Sequence, residues 1–133
     1  MIQPMTSTSE SVKAFLAEDS GLIRDRVHAA LDAADIAVVG QAGTPDGCIS
    51  GILDARPDVV VLDIQLEGGS GLEVLKAVRS AEPEVAFVVF SSHDAPVYRK
   101  RYLREGAVRF LDKNTQFDQL AEAVASAGRR SVH

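Results

Sequence analysis

Apolar positions along the chain alternate between two patterns. Five short runs, Val12–Ala17, Ile36–Ala42, Asp58–Leu62, Val85–Phe90 and Val108–Leu111, read as strands. Segments within three of them (VKAFLA, VVVL and VAFVVF) are apolar almost throughout, as expected of strands buried on both faces of a parallel sheet. Between and after these runs, apolar residues recur every three or four positions, the spacing of one helix face. The stripes are Ile23, Val27, Ala30, Leu31 and Ala34; Cys48, Ile49, Ile52 and Leu53; Leu72, Leu75 and Val78; and Phe117, Leu120, Ala121 and Val124. The fourth helical stretch, Ala95–Arg104, has the weakest stripe and the most charge. Ser70, Asp94 and Thr115 are placed to cap helix N-termini, and Pro45, Pro57, Pro83 and Pro96 punctuate element boundaries.

The alternation predicts an α/β fold: a (βα)5 doubly wound, five-stranded parallel sheet with helices on both faces. Five strands are too few for a closed eight-stranded barrel. The 133 residues suit one domain, with a lead-in at 1–11, the module at 12–128 and a polar tail at 129–133. The composition, 46% hydrophobic and 25% charged, is that of a soluble globular protein. A net charge of -5 argues against direct nucleic acid binding, because phosphate neutralisation needs a basic surface. The single Cys48 cannot pair within the chain, so a reducing cytoplasm is expected and the thiol should sit in the core. No apolar run approaches the roughly 20 residues that span a bilayer, and the first residues lack a secretory pattern, so no membrane role is expected.

In open α/β sheets, ligands bind outside the carboxyl ends of the strands. At that edge the sequence puts Glu18 and Asp19 after the first strand, Asp63 at the end of the third, Ser91 and Ser92 after the fourth, and Lys113 after the fifth. One Asp after a strand is ordinarily a turn residue or cap. Three carboxylates converging on one edge repel one another unless a cation sits among them. Mg²⁺ suits such a set, since it takes one or two carboxylates together with waters and phosphate oxygens. Lys113 adds a positive charge fit for a phosphoryl oxygen, Ser91 a hydrogen-bond donor, and a carboxylate can itself be a nucleophile towards phosphorus.

The segments FLAEDS (15–20), VVVLDIQLEGGSGLEVL (59–75), VVFSS (88–92) and GAVRFLDK (106–113) resemble the receiver domain of two-component response regulators, over roughly residues 11–128. The resemblance implies the flavodoxin-like receiver fold with strand order 2-1-3-4-5. It implies Asp63 as phosphoacceptor, Asp19 and Glu18 as Mg²⁺ ligands together with Asp63 and the carbonyl of Gln65, and Ser91 and Lys113 as partners of the phosphoryl group. Ser91 and Phe110 would form the switch to a face built from the fourth helix, fifth strand and fifth helix. The expected donor is the phosphohistidine of a sensor histidine kinase or histidine phosphotransfer protein. The expected recipient is a downstream protein or an output domain outside this chain. The chain would catalyse only its own phosphorylation and dephosphorylation, and would not be an enzyme in the ordinary sense. Four positions depart from the family's habit: Glu67 and Asn114 stand where Pro is common, Ser91 where Thr is common and Phe110 where Tyr is common, while Gly71 matches. At Asn114 a cis peptide bond is not expected, since it would be costly without proline.

Gln65 and His93 lie two residues beyond Asp63 and Ser91, where they would tune the lifetime of the phosphorylated state or serve as plain loop residues. The segment 97–105 carries Arg99, Lys100, Arg101 and Arg104 beside Tyr98 and Tyr102, suited either to an acidic partner or to solvent. His28 reads as a surface residue of the first helix, where a kinase could dock. Two other chemistries fit poorly. An FMN site needs a phosphate-binding loop where Glu18 and Asp19 would repel the phosphate, and an aspartyl phosphohydrolase of the haloacid dehalogenase type needs an acid where Gln65 stands. A phosphorylation-independent scaffold is the remaining alternative.

Overall fold

The computed structural model describes residues 11–93 and 96–131. Its main sheet comprises β1 (Lys13–Ala17), β2 (Ala37–Ala42), β3 (Val59–Leu62), β6 (Ala86–Ser91) and β7 (Arg109–Asp112), all parallel, in the order β2-β1-β3-β6-β7. Counting these five alone gives the expected 2-1-3-4-5 order, and each strand begins and ends within one residue of its sequence-based bounds. A small antiparallel hairpin, β4 (Gln65–Leu66) with β5 (Gly69–Ser70), follows β3 and was not anticipated from the apolar pattern.

The helices are α1 (Gly21–Ala33), α2 (Pro45–Ala55), α3 (Gly71–Ala81), α4 (Pro96–Arg104) and α5 (Leu120–Ser131). Alternate side chains of β1, β3 and β6 enter one or the other of two cores. Phe15, Val60, Leu62, Phe87 and Val89 meet Cys48 and Ile52 of α2, Val74, Leu75 and Val78 of α3, and Tyr102 of α4. Leu16, Val59, Val61, Val88 and Phe90 face Val27 and Leu31 of α1 and Leu120 and Val124 of α5 on the other side. Each large side chain so buried contributes about 1.5–3 kcal/mol, and β3, buried at every position, lies at the centre of both layers.

Two of the three expected caps can be assessed. Ser70 caps α3 in a capping box with Glu73. Thr115 caps nothing: a 3-10 turn, Phe117–Gln119, leads into α5, and the bend is closed by Gln116 N–H donating to the Asp112 carbonyl (2.8 Å). Asp94 and Ala95 lie outside the described residues, as do 1–10 of the lead-in. Ser20 and Thr44, which the sequence reading passed over, cap α1 and α2 by accepting from Ile23 N–H (3.3 Å) and Gly47 N–H (3.1 Å). The last helix continues to Ser131, into the stretch read as a tail.

Candidate functional site

The strand order sets the site. β1 and β3 are neighbours, so Glu18 and Asp19 after one come beside Asp63 after the other; β7 is two places further along the sheet, yet its Lys113 reaches back to both. Carboxylate oxygens of Glu18, Asp19 and Asp63 all lie within 4.8 Å of one another. The ammonium of Lys113 is 2.8 Å from Asp63 Oδ2 and 2.7 Å from Glu18 Oε1. Glu18 and Asp63 are buried, whereas Asp19 faces solvent. Three carboxylates against one ammonium leave a net charge of -2 in hard oxygen donors, so the donor set fits a small divalent cation such as Mg²⁺.

Burial pushes the Glu18 carboxyl above its ordinary pKa, and the hydrogen bond from Lys113 only partly opposes it. For Lys113, burial pulls downward, but the bonds to Asp63 and Glu18 outweigh it and the ammonium is held more firmly than usual. The loop bearing the acids is itself anchored. Glu18 N–H donates to the Ala42 carbonyl (3.0 Å), Ser20 N–H donates to Glu18 Oε2 (3.1 Å), and Arg24 Nη1 donates to the Glu18 carbonyl (2.9 Å). Sequence reasoning gave Arg24 no role; its place on α1, one turn beyond the cap Ser20, is the only signal for it.

On the Asp63 side, Ile64 N–H donates to Asp63 Oδ1 (2.7 Å), and Gly71 N–H donates to the Ile64 carbonyl (2.7 Å). A Cβ on residue 71 would collide with the Asp63 carbonyl oxygen, so glycine is required where the start of α3 passes behind the phosphoacceptor candidate. Glu67, at the first position where proline is common in the family, donates its N–H to the Gly43 carbonyl (2.9 Å) and so ties the hairpin to the loop after β2. Asn114, at the second, donates its N–H to Asp112 Oδ1 (2.7 Å), and no cis peptide bond occurs among the described residues. Proline could make neither bond.

Ser91 is fully buried at the end of β6; its Oγ accepts from His93 N–H (3.1 Å) and its carbonyl accepts from Lys113 N–H (3.1 Å). Gln65 opens β4 opposite Ser70 with an exposed side chain. Phe110 is buried, edge-on to Tyr102 with ring centroids 6.4 Å apart, and the Arg99 guanidinium lies 5.1 Å from its centroid. No ion pair or hydrogen bond links Ser91 Oγ, Gln65 or Phe110 to the acidic cluster among the described residues. His28 is exposed on α1, and Cys48 is buried in the core.

Comparison with known proteins bears on the family and the fold. The family model for the response regulator receiver domain matches residues 14–125. The chain therefore belongs to the receiver-domain family of two-component response regulators, whose business is signal transduction. It is similar to the uncharacterized transcriptional regulatory protein YxjL of Bacillus subtilis, with 31% identity over 90% of this chain and 56% of that protein. It is similar also to the DNA-binding transcriptional activator DevR/DosR of Mycobacterium tuberculosis, with 30% identity over 88% of this chain and 54% of that protein. Among solved structures, the signal receiver domain of the putative response regulator NarL from M. tuberculosis aligns with a TM-score of 0.83 and 31% identity, covering 90% of this chain and 97% of that one. The chain thus spans little more than half the length of these curated relatives. DNA binding is said of compared proteins such as DevR/DosR, so the expectation of no nucleic acid partner has no support from the comparisons. No described helix is long and apolar enough to cross a membrane.

Proposed function

We propose that the domain accepts a phosphoryl group on Asp63 from the phosphohistidine of a sensor histidine kinase or histidine phosphotransfer protein, with Mg²⁺ held by Asp19, Asp63, Glu18 and the Gln65 carbonyl. One observation carries the reading: a buried Asp63 carboxylate with an ammonium at 2.8 Å and two further carboxylates within 4.8 Å, drawn from separate strands. An oxygen of Asp63 attacks phosphorus, the P–N bond to the donor imidazole breaks, and that nitrogen keeps the electron pair and takes up a proton. Bound Mg²⁺ supplies charge neutralisation for the phosphoryl oxygens.

Lys113 exchanges part of its contact with Asp63 for a phosphoryl oxygen, and the Ser91 hydroxyl donates to another. Because Phe110 is already buried here, phosphorylation on this reading stabilises the inward position it occupies, shifting the α4–β7–α5 face towards one of two states. Water attack on the acyl phosphate returns the carboxylate and phosphate, and Gln65 and His93 modulate that step. The buried thiol of Cys48 accords with a reducing cytoplasm.

The test is incubation with acetyl phosphate and Mg²⁺ followed by intact-mass measurement. The expected result is a gain of one phosphoryl group, abolished by chelation and by Asp63→Asn, with the variant still folded. A wild-type protein that folds, binds Mg²⁺ and gains no mass would leave the phosphorylation-independent scaffold as the better reading.

A further inference from the structure

A groove of about 630 Å³ lies between α4 on one side and the β4–β5 hairpin with the start of α3 on the other. Buried Tyr102 of α4 and Leu72 of α3 both line it. The rim carries two neighbouring exposed apolar side chains. Val97 is 70% exposed and Tyr98 42%, side by side, with the Tyr98 ring edge-on to His93 at a centroid distance of 6.4 Å.

The charge is lopsided as well. Lys100, Arg101 and Arg104 line the groove, no described carboxylate does, and the chain as a whole has a net charge of -5. Arg101 is engaged by Glu105 at 3.2 Å, but Lys100 and Arg104 have no ion pair among the described residues. Val97, Lys100, Arg101 and Arg104 stand at i, i+3, i+4 and i+7, so they share one face of α4. Nine residues of helix span about 13 Å, room for two or three turns of a partner.

We propose that this groove is a docking surface for an acidic amphipathic segment of a partner protein. The partner's apolar residues cover Val97 and Tyr98, and its carboxylates sit over Lys100 and Arg104. The complementarity is specific in sign: a basic segment is repelled by the groove, while an acidic one, repelled by most of this acidic molecule, finds here a cationic wall beside exposed apolar side chains. Nothing in this inference depends on Asp63 being phosphorylated.

The probe is a synthetic helical peptide with Leu or Phe along one face and Glu along the other, titrated into the full chain by heteronuclear NMR. Two controls are a scrambled peptide of the same composition and one with Lys in place of Glu. The expected result is saturable binding that shifts the amides of Leu72, Val97 and Tyr98, is weakened by salt, and falls about tenfold in the doubly substituted Lys100→Gln, Arg104→Gln chain. Both side chains are exposed, so the variant keeps its fold, checked by its unshifted core resonances. Equal binding by the scrambled or Lys peptide, shifts centred on β7 and α5, or unchanged affinity in the double variant would each overturn the proposal. So would a small polyanion such as ATP binding the same amides while the peptide does not.

Discussion

Replacing Lys113 with Met removes a cation in contact with two buried carboxylates while keeping most of the side chain's volume. Taking one partner from a buried ion pair costs about 3–5 kcal/mol, because the other charge stays desolvated. Here the side chains retain 14% exposure for Lys113 and 8% for each carboxylate, and the site opens towards exposed Asp19, so the loss falls to about 2–3 kcal/mol. For a domain of this size that lowers the melting temperature by about 6–12 °C, read by circular dichroism in chelator. The deficit depends on pH with a definite sign. Burial already raises the Glu18 pKa, and without the ammonium it rises further. A carboxyl that binds its proton more tightly when folded supports stability below its ordinary value of 4.5 and loses that support as pH rises through the folded value. The difference between variant and wild type is therefore largest at neutral pH and shrinks towards pH 4.5. Mg²⁺ recovers more stability in the variant than in wild type, since the carboxylates lack an internal competitor. A Met variant as stable as wild type in chelator, or a deficit indifferent to both pH and Mg²⁺, would refute the electrostatic account.

Gly71→Ala drives a methyl group into the Asp63 carbonyl, a backbone atom that cannot swing aside. The expected cost is about 1–3 kcal/mol in chemical denaturation, accompanied by weaker Mg²⁺ binding in a fluorescence or NMR titration. The Cys48 thiol is pushed up to about 12 by burial, so it should react with a disulfide reagent far more slowly in the native protein than in denaturant, as a colorimetric time course would show. Gln65→Ala and His93→Ala should each change the decay rate of the phosphorylated form while leaving its melting curve in place; unchanged decay in both would remove them from the hydrolysis step.

Three of the strands were legible because they are apolar enough to be buried on both faces: β3 is VVVL, β6 begins AFVVF and β1 carries AFLA, runs that no amphipathic helix carries. The acidic cluster was legible for a topological reason. Once Glu18, Asp19, Asp63 and Lys113 are assigned to strand ends, a parallel sheet puts them on one edge whatever the details. What stayed hidden depends on contacts distant in sequence or on local backbone geometry. The β4–β5 hairpin is only two residues per arm, too short to show a period, and Arg24 acts through a single bond to a backbone carbonyl. Thr115 looked like a cap because Thr favours that place, but the 3-10 turn at Phe117 moved the helix start beyond its reach.

The Glu67 and Asn114 amides have a consequence for motion. A proline ring restrains a loop permanently, in the unfolded chain as well as the native one. In this chain the two positions instead each contribute one N–H to their loop's hydrogen bonds, to Gly43 and to Asp112, and a bond of that kind can release without any strand coming apart. The expected outcome is that these two amides exchange with deuterium faster than the amides of the strands beneath them, and equal protection at both places would show that the loops and the sheet open together.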